Sequence, residues 1–237
     1  MFSFIIPAHN EEALLERTLR ALTATAGAVG EPYEIIVTDD ASTDRTAEIA
    51  ASCGAKVVSI DRRQIAAARN AGASIAKGEY LIFVDADTIV GEAPLRRAIG
   101  ALMDGAVGGG ARIRFDGRIP RWARLTFGFW MWLYFDLLRL SSGSFLFCTR
   151  RAFDAVGGFD EAIFAAEEAY MSRALRKQGR FVIVRDPVIT SGRKLRQYSA
   201  RELFGCLLSI GLRGRRGLEN RHLKAYEIWY GPRRGEE

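Results

Sequence analysis

Apolar and polar positions alternate in blocks along the first ninety residues. Phe2 to Ile6 is a short, mostly apolar run stopped by Pro7, the pattern of a buried strand. From Glu11 to Thr25, Leu14, Leu15, Leu19 and Leu22 fall at helical spacing. Glu34 to Thr38 predicts a second strand ending at Asp39-Asp40, and Ser42-Thr43-Asp44 offers capping oxygens to a helix around Ile49. Lys56 to Ile60 predicts a third strand and Ile65 to Ala76 a helix. Tyr80 to Val84 is a fourth strand, ending at Asp85-Ala86-Asp87. Near-continuous apolar strands alternating with helices predict an α/β fold, its mainly parallel sheet covered on both faces.

Further on, the pattern is less regular. Strands are expected over Val107 to Phe115, Ser144 to Cys148 and Phe181 to Val184. Helices are expected over Arg150 to Val156 and Glu167 to Gln178, with a turn at Gly157-Gly158-Phe159-Asp160-Glu161 between them. Pro120 to Leu140 is dominated by aromatics. There is no internal repeat and no long linker. The expected organisation is one domain over 1–192, with halves 1–115 and 116–192, followed by a basic, partly helical extension over 193–237.

Composition narrows the class. The 237 residues are 49% hydrophobic and 26% charged, a globular balance. Cys53, Cys148 and Cys206 are odd in number and have no metal-type spacing, so reduced thiols in a cytoplasmic setting are expected. Met1 to Pro7 lacks the form of a targeting segment, and no run reaches the roughly 20 apolar residues of a membrane span. Leu125 to Leu138, the longest candidate, contains Asp136. The net charge of +6 is concentrated: from Arg193 to Glu237, eleven Lys/Arg face five Asp/Glu.

Ligands of open parallel sheets bind beyond the carboxyl ends of the strands. Three such ends carry polar groups here: Pro7-Ala8-His9-Asn10-Glu11, Asp39-Asp40 and Asp85-Ala86-Asp87. A carboxylate at Asp39 can accept the ring N–H of uracil or guanine, whereas adenine presents an acceptor there. Asp85 and Asp87 are two hard oxygen ligands one residue apart, suited to Mg²⁺ or Mn²⁺. Such a metal would bridge two phosphates and neutralise a departing nucleoside diphosphate. The guanidinium of Arg69 can reach base or phosphate, or can form an ion pair.

Taken in order, Ile5-Ile6-Pro7-Ala8-His9-Asn10-Glu11-Glu12, Asp39-Asp40-Ala41-Ser42-Thr43-Asp44, Arg69-Asn70-Ala71-Gly72, Asp85-Ala86-Asp87 and Gly157 to Glu161 followed by Glu167-Glu168 resemble the family 2 glycosyltransferases. The resemblance covers about residues 2 to 190. It implies a GT-A-type, Rossmann-like domain and an inverting transfer from a nucleotide-sugar donor, most simply a UDP-sugar, to an acceptor hydroxyl. It further implies that Pro7, Ala8, Asn10, Glu11, Asp39, Arg69, Asp85 and Ala86 bind the donor, and that Asp87 with Asp85 holds the metal. The base is implied in Glu167-Glu168, at Glu168 by alignment with the family's usual Asp. The region after the last strand, Val188 to Gly192, lacks the histidine with which many relatives complete the metal site, so weak metal binding without nucleotide is expected. His9 is expected to pack or to support the backbone, not to act as a catalyst.

Two segments bear on partners. Trp122, Phe127, Phe129, Trp130, Trp132, Tyr134 and Phe135 suit either core packing or an apolar or lipid-linked acceptor. Leu203, Phe204, Leu207 and Leu208 form an apolar stripe with Arg201, Arg213, Arg215 and Arg216 around its ends. That stripe suits a docked helix or attachment to an anionic membrane surface, hence peripheral placement on its inner face. No nucleic-acid recognition motif accompanies the charge. The rival functions are a non-catalytic nucleotide-sugar binder and a sugar nucleotidyltransferase; the latter's glycine-rich N-terminal loop is replaced by Pro7-Ala8-His9-Asn10.

Overall fold

The computed structural model describes residues 1–117, 131–197 and 202. Its first half is a run of parallel strands with helical crossovers: β1 (Phe2–Ala8), α1 (Leu15–Val29), β2 (Tyr33–Asp40), α2 (Thr46–Ser52), β3 (Lys56–Ile60), α3 (Ile65–Ile75) and β4 (Tyr80–Val84). β5 (Thr88–Ile89), α4 (Glu92–Met103) and β6 (Gly108–Phe115) follow. After a π-helical segment, Trp132–Leu137, come β7 (Phe145–Thr149), α5 (Arg150–Val156), α6 (Glu167–Arg176), β8 (Phe181–Thr190) and the short α7 (Arg193–Gln197).

The strands form one sheet in the order β3-β2-β1-β4-β7-β6-β8-β5. β3, β2, β1 and β4 are mutually parallel, as is β6 with β8. β7 runs antiparallel to both β4 and β6, and β5 antiparallel to β8. The expected α/β architecture is thus present as a mostly parallel mixed sheet.

Successive strand side chains point to opposite faces, and the core divides accordingly. Phe4, Ile6, Ile82 and Val84 pack with Leu15, Leu19 and Leu22 of α1 and Leu95 and Leu102 of α4. On the other face Ile5, Leu81 and Phe83 pack with Phe153, Phe159, Met171 and Leu175. Burying one Leu or Phe contributes about 1.5–3 kcal/mol, so both helical layers are held mainly by these contacts.

Several bounds depart from the sequence pattern. β1 continues through Pro7 to Ala8, because pairing with β4 ends at Ile5↔Phe83 and the proline lies beyond that edge. α1 starts at Leu15, after a turn in which the Leu15 N–H donates to the Glu11 carbonyl. α4 is an addition; Leu95, Ala98, Ile99 and Leu102 have the helical spacing that should have shown it. β8 runs six residues past Val184, across Pro187, where a register shift between Ala111 and Ile113 of β6 absorbs the irregularity.

β6 opens with Gly108-Gly109-Gly110, and these positions have no room for side chains. A Cβ on Gly109 would lie 2.1 Å from the Val182 carbonyl oxygen, and one on Gly110 2.0 Å from Ser141 Oγ. Ser141 in turn donates its N–H to Ser172 Oγ on α6 at 2.9 Å.

Of the aromatic segment, Trp132, Tyr134 and Phe135 are among the described residues. Trp122, Phe127, Phe129 and Trp130 lie outside them, as do the Leu203-to-Leu208 stripe and its flanking arginines.

Candidate active site

β2, β1 and β4 are neighbours, so their carboxyl ends lie side by side, with Ala8 paired to Asp39. The loops after β1 and β2 are laced together. The Thr43 N–H donates to Asn10 Oδ1 at 2.8 Å, Asn10 N–H to Ser42 Oγ at 2.9 Å and Glu11 N–H to Thr46 Oγ1 at 2.8 Å. Asn10 takes a positive φ of 51° and serves as a brace between loops. His9 Nδ1 lies 2.6 Å from the Asp40 carbonyl oxygen, a backbone-supporting contact as the sequence led us to expect.

The adjacent aspartates divide their work. Asp40 accepts from the N–H groups of Arg62, Arg63 and Gln64 at 2.7–2.8 Å and so fastens the entry to α3. Asp39 is 7% exposed, and its Oδ1 is buried without a hydrogen-bond partner among the described residues. An orphaned carboxylate oxygen is costly unless a ligand supplies the donor. Pro7 and Ala8, expected to contact the donor, are buried in β1 beside it.

Arg69 projects from α3 and is 1% exposed. Its Nη1 donates to Glu167 Oε1 at 2.5 Å, and its Nη2 to Asp85 Oδ1 at 3.0 Å and the Gly143 carbonyl at 3.3 Å. The guanidinium also lies 5.2 Å from the Phe159 ring centroid. Burial alone would loosen its proton, but the carboxylates of Glu167 and Asp85 prevail and hold it above its ordinary range. The sequence allowed Arg69 a contact with base or phosphate or an ion pair; in the structure it is ion-paired, between a metal candidate and the acidic pair. Gly143 permits this: a Cβ there would sit 2.6 Å from Nη2.

The turn before the acidic pair is anchored by the same motif. Asn70 accepts the Phe159 N–H and donates to the Phe159 carbonyl, both at 2.9 Å. Gly158 turns there with φ +76°, and a Cβ would lie 2.8 Å from Asn70 Oδ1, which restricts the position to glycine.

Glu167 and Glu168 open α6 and face different partners. Glu167 is 4% exposed and belongs to Arg69. Glu168 is half-buried as a residue, but its carboxyl end is enclosed by protein. That burial, reinforced by the neighbouring Glu167 and opposed by Arg69, pushes its pKa up to about 8. Tyr134 of the π-helical segment lies beside it, its hydroxyl donating to the Ser141 carbonyl at 3.0 Å, and burial next to Glu168 and Glu167 raises the phenol's own pKa. A carboxyl group tuned into the neutral range is what general-base chemistry requires.

Asp87 lies at the other end of the site. Thr190 Oγ1 and Asp87 Oδ1 are 3.4 Å apart, and Arg193 Nη2 is 3.5 Å from Asp87 Oδ2. The same nitrogen contacts both oxygens of Glu11, at 2.7 and 2.9 Å. Ala86, between the two aspartates, is 3% exposed. Among the described residues no group of three or more His, Cys, Asp or Glu could hold a metal ion. The carboxylates of Asp85 and Asp87 nevertheless fit Mg²⁺ or Mn²⁺, which take only one or two protein carboxylates when phosphates and water complete the shell.

Among the expected residues, Asp85, Arg69 and Glu167 are joined, with Glu168 beside them, and Glu11 and Asp87 are joined through Arg193. Sequence reasoning missed Gly143, Thr190 and Arg193, and did not assign Tyr134 to the acidic pair. Arg193 had a signal: it is the first cation after the region noted for lacking a histidine.

Comparison with known proteins agrees with this fold. Validoxylamine A glucosyltransferase of Streptomyces hygroscopicus subsp. jinggangensis is 36% identical over 97 residues, which are 38% of this chain and 23% of that protein. Other curated relatives are matched over 16% to 34% of their length, so the chain spans a third or less of them. A mannosyltransferase from Pyrobaculum calidifontis, solved with GDP-Man and Mn²⁺, superposes with a TM-score of 0.68 at 18% identity, over 97% of this chain and 66% of that one. Glucosyl-3-phosphoglycerate synthase from Mycobacterium tuberculosis, solved with Mn²⁺ and UDP, gives 0.62 at 19% identity, over 92% and 80%. Residues 3–153, more than half of the chain, match the family model described as glycosyl transferase family 2. The chain belongs to that family.

Proposed function

We propose that the protein is an inverting glycosyltransferase that moves a sugar from a nucleoside diphosphate sugar to an acceptor hydroxyl, with Glu168 as general base. The observation that carries this reading is the pairing of an unsatisfied, buried Asp39 Oδ1 at one end of the site with a Glu168 carboxyl tuned to about 8 at the other. Asp39 would accept the ring N–H of uracil or guanine. Structural relatives solved with UDP and with GDP-Man are consistent with either base. Asp87 and Asp85 would hold Mg²⁺ or Mn²⁺, which when bound neutralises the departing diphosphate.

The chain's own groups account for the rest. Glu168, deprotonated, takes the hydrogen of the acceptor hydroxyl as its oxygen attacks the anomeric carbon, while the diphosphate leaves from the opposite face. Tyr134, its hydroxyl held by the Ser141 carbonyl, lies beside that carboxyl. Arg69 keeps Glu167 ionised and fixes the start of α6, and so the position of the base relative to Asp85.

On the acceptor side, Trp132 is 51% exposed and Leu137 60%, flanking the Tyr134 that lies beside Glu168. These apolar surfaces favour an acceptor with an apolar or lipid-linked portion. No helix among the described residues is long and apolar enough to cross a membrane. The basic stretch from 193 to 237 would place the protein on an anionic surface.

A thermal-shift panel of UDP-, GDP-, dTDP- and ADP-sugars with and without Mn²⁺ tests the reading. UDP or GDP compounds should stabilise the protein with metal and ADP compounds should not. Equal stabilisation by all four would refute the role of Asp39.

A further inference from the structure

Arg193 opens α7, three residues after the end of β8. Its contacts with Glu11 and Asp87 involve side chains only 13%, 12% and 16% exposed, so they are screened less than a surface pair. The backbone delivers it there. The Gly192 N–H donates to Asp116 Oδ1 at 2.9 Å, the Arg196 guanidinium to the Asp116 carbonyl at 3.0 Å, and the Asp116 N–H to the Thr190 carbonyl at 2.9 Å. β8 is itself tied to β5 by Thr88↔Thr190, directly beside Asp87.

Resting on the proposed function, we propose that Arg193 is a tethered cation that competes with the divalent metal for Asp87 while the donor is absent, and pairs with the donor diphosphate once metal and nucleotide arrive together. A guanidinium on Asp87 and a metal ion on the same carboxylate repel each other at close range. Metal alone must therefore push Arg193 off Asp87, leaving it on Glu11 beside an uncompensated positive ion. A nucleoside diphosphate removes that conflict, because its anionic oxygens offset the added charge and give the planar guanidinium a bidentate partner. Metal binding becomes conditional on the nucleotide, and Arg193 becomes a donor-binding residue that also enforces the order of assembly.

The test uses the full chain and its Arg193→Gln variant. Binding of Mn²⁺ to nucleotide-free protein is followed by loss of the free-ion electron paramagnetic resonance signal. Binding of UDP and of GDP at saturating Mn²⁺ is followed by calorimetry. The variant should bind Mn²⁺ alone more tightly, on the order of tenfold, and the nucleotide more weakly by a similar factor. A merely structural arginine would weaken both. Unchanged or weaker Mn²⁺ binding by the variant overturns the competition. If the wild-type protein binds neither nucleotide, the proposed function fails while the Mn²⁺ comparison still stands. Should Arg193→Gln not fold, Arg193→Lys keeps the charge on a shorter arm, which weakens the reach to Asp87, the longer of the two contacts. It should shift Mn²⁺ binding in the same direction by less, and no shift is equally fatal.

Discussion

Arg69 Nη1 lies 2.5 Å from Glu167 Oε1, joining residues 98 positions apart across the site. One guanidinium thereby connects Asp85, at the end of β4, to the helix that presents Glu168. Arg69→Met would leave Glu167 buried and uncompensated, a change that typically costs about 3–5 kcal/mol. Urea denaturation should show that loss. Adding Glu167→Gln should recover part of it, because the stranded charge goes with the carboxylate.

Glu168→Gln keeps the shape of the base and removes its proton affinity. Transfer should fall about a hundred- to ten-thousandfold, while nucleotide binding measured by calorimetry stays close to wild type. Glu167→Gln should act chiefly through stability. If neither substitution slows a demonstrated transfer, the base is elsewhere.

The raised pKa of Glu168 predicts two pH effects. Its deprotonated fraction, and with it the transfer rate, should grow as pH rises through about 8. Stability should move the other way. Between the ordinary carboxylate range and about 8 the folded protein holds a proton on Glu168 that the unfolded chain has released, so unfolding free energy falls as pH rises across that window. Denaturation at pH 5 and pH 9 should show this decline in the wild type and a weaker one in Glu168→Gln.

Asp39→Asn replaces the orphaned acceptor with a group that can present a donor instead. Affinity for UDP or GDP should drop about tenfold or more in an isothermal titration, and Mn²⁺ binding should be little affected. An equal loss for both ligands would mean that Asp39 supports the loop and not the base.

Gly143→Ala probes the socket of Arg69 without touching a charge. Its Cβ would lie 2.6 Å from Nη2 and 3.6 Å from Asp85 Oδ2, so the guanidinium must shift. Overpacking of this kind costs about 1–3 kcal/mol, measurable as a lower midpoint of thermal unfolding. Transfer should suffer more than nucleotide affinity.

Much of the fold was legible in the sequence because its period is local. β3, β4 and α5 begin and end where apolar runs and helical spacing place them. The site was legible as a set of strand ends but not as a set of contacts. Nothing in Asp39-Asp40 distinguishes the residue that receives three backbone N–H groups from the one left with an orphaned oxygen; that depends on how residues 62–64 approach. Arg69 looked like a ligand residue because its carboxylate partner at 167 is remote in sequence. Arg193 was counted with the basic extension, although β8 carries it back to β5 and Asp87. Long-range pairing, not residue type, decides these cases.

The glycines of β6 have a bearing on the reaction itself. Gly110 meets Ser141, and Ser141 holds Ser172 one helical turn beyond Glu168, so the strand sets how far the proposed base stands from the sheet edge. A methyl group at position 110 would act as a shim, lifting Ser141 and with it α6. The reach from the proposed base to the strand ends is in that sense measured out by atoms the chain omits, and the width of the candidate site is a property of a strand that contributes no proposed reacting group.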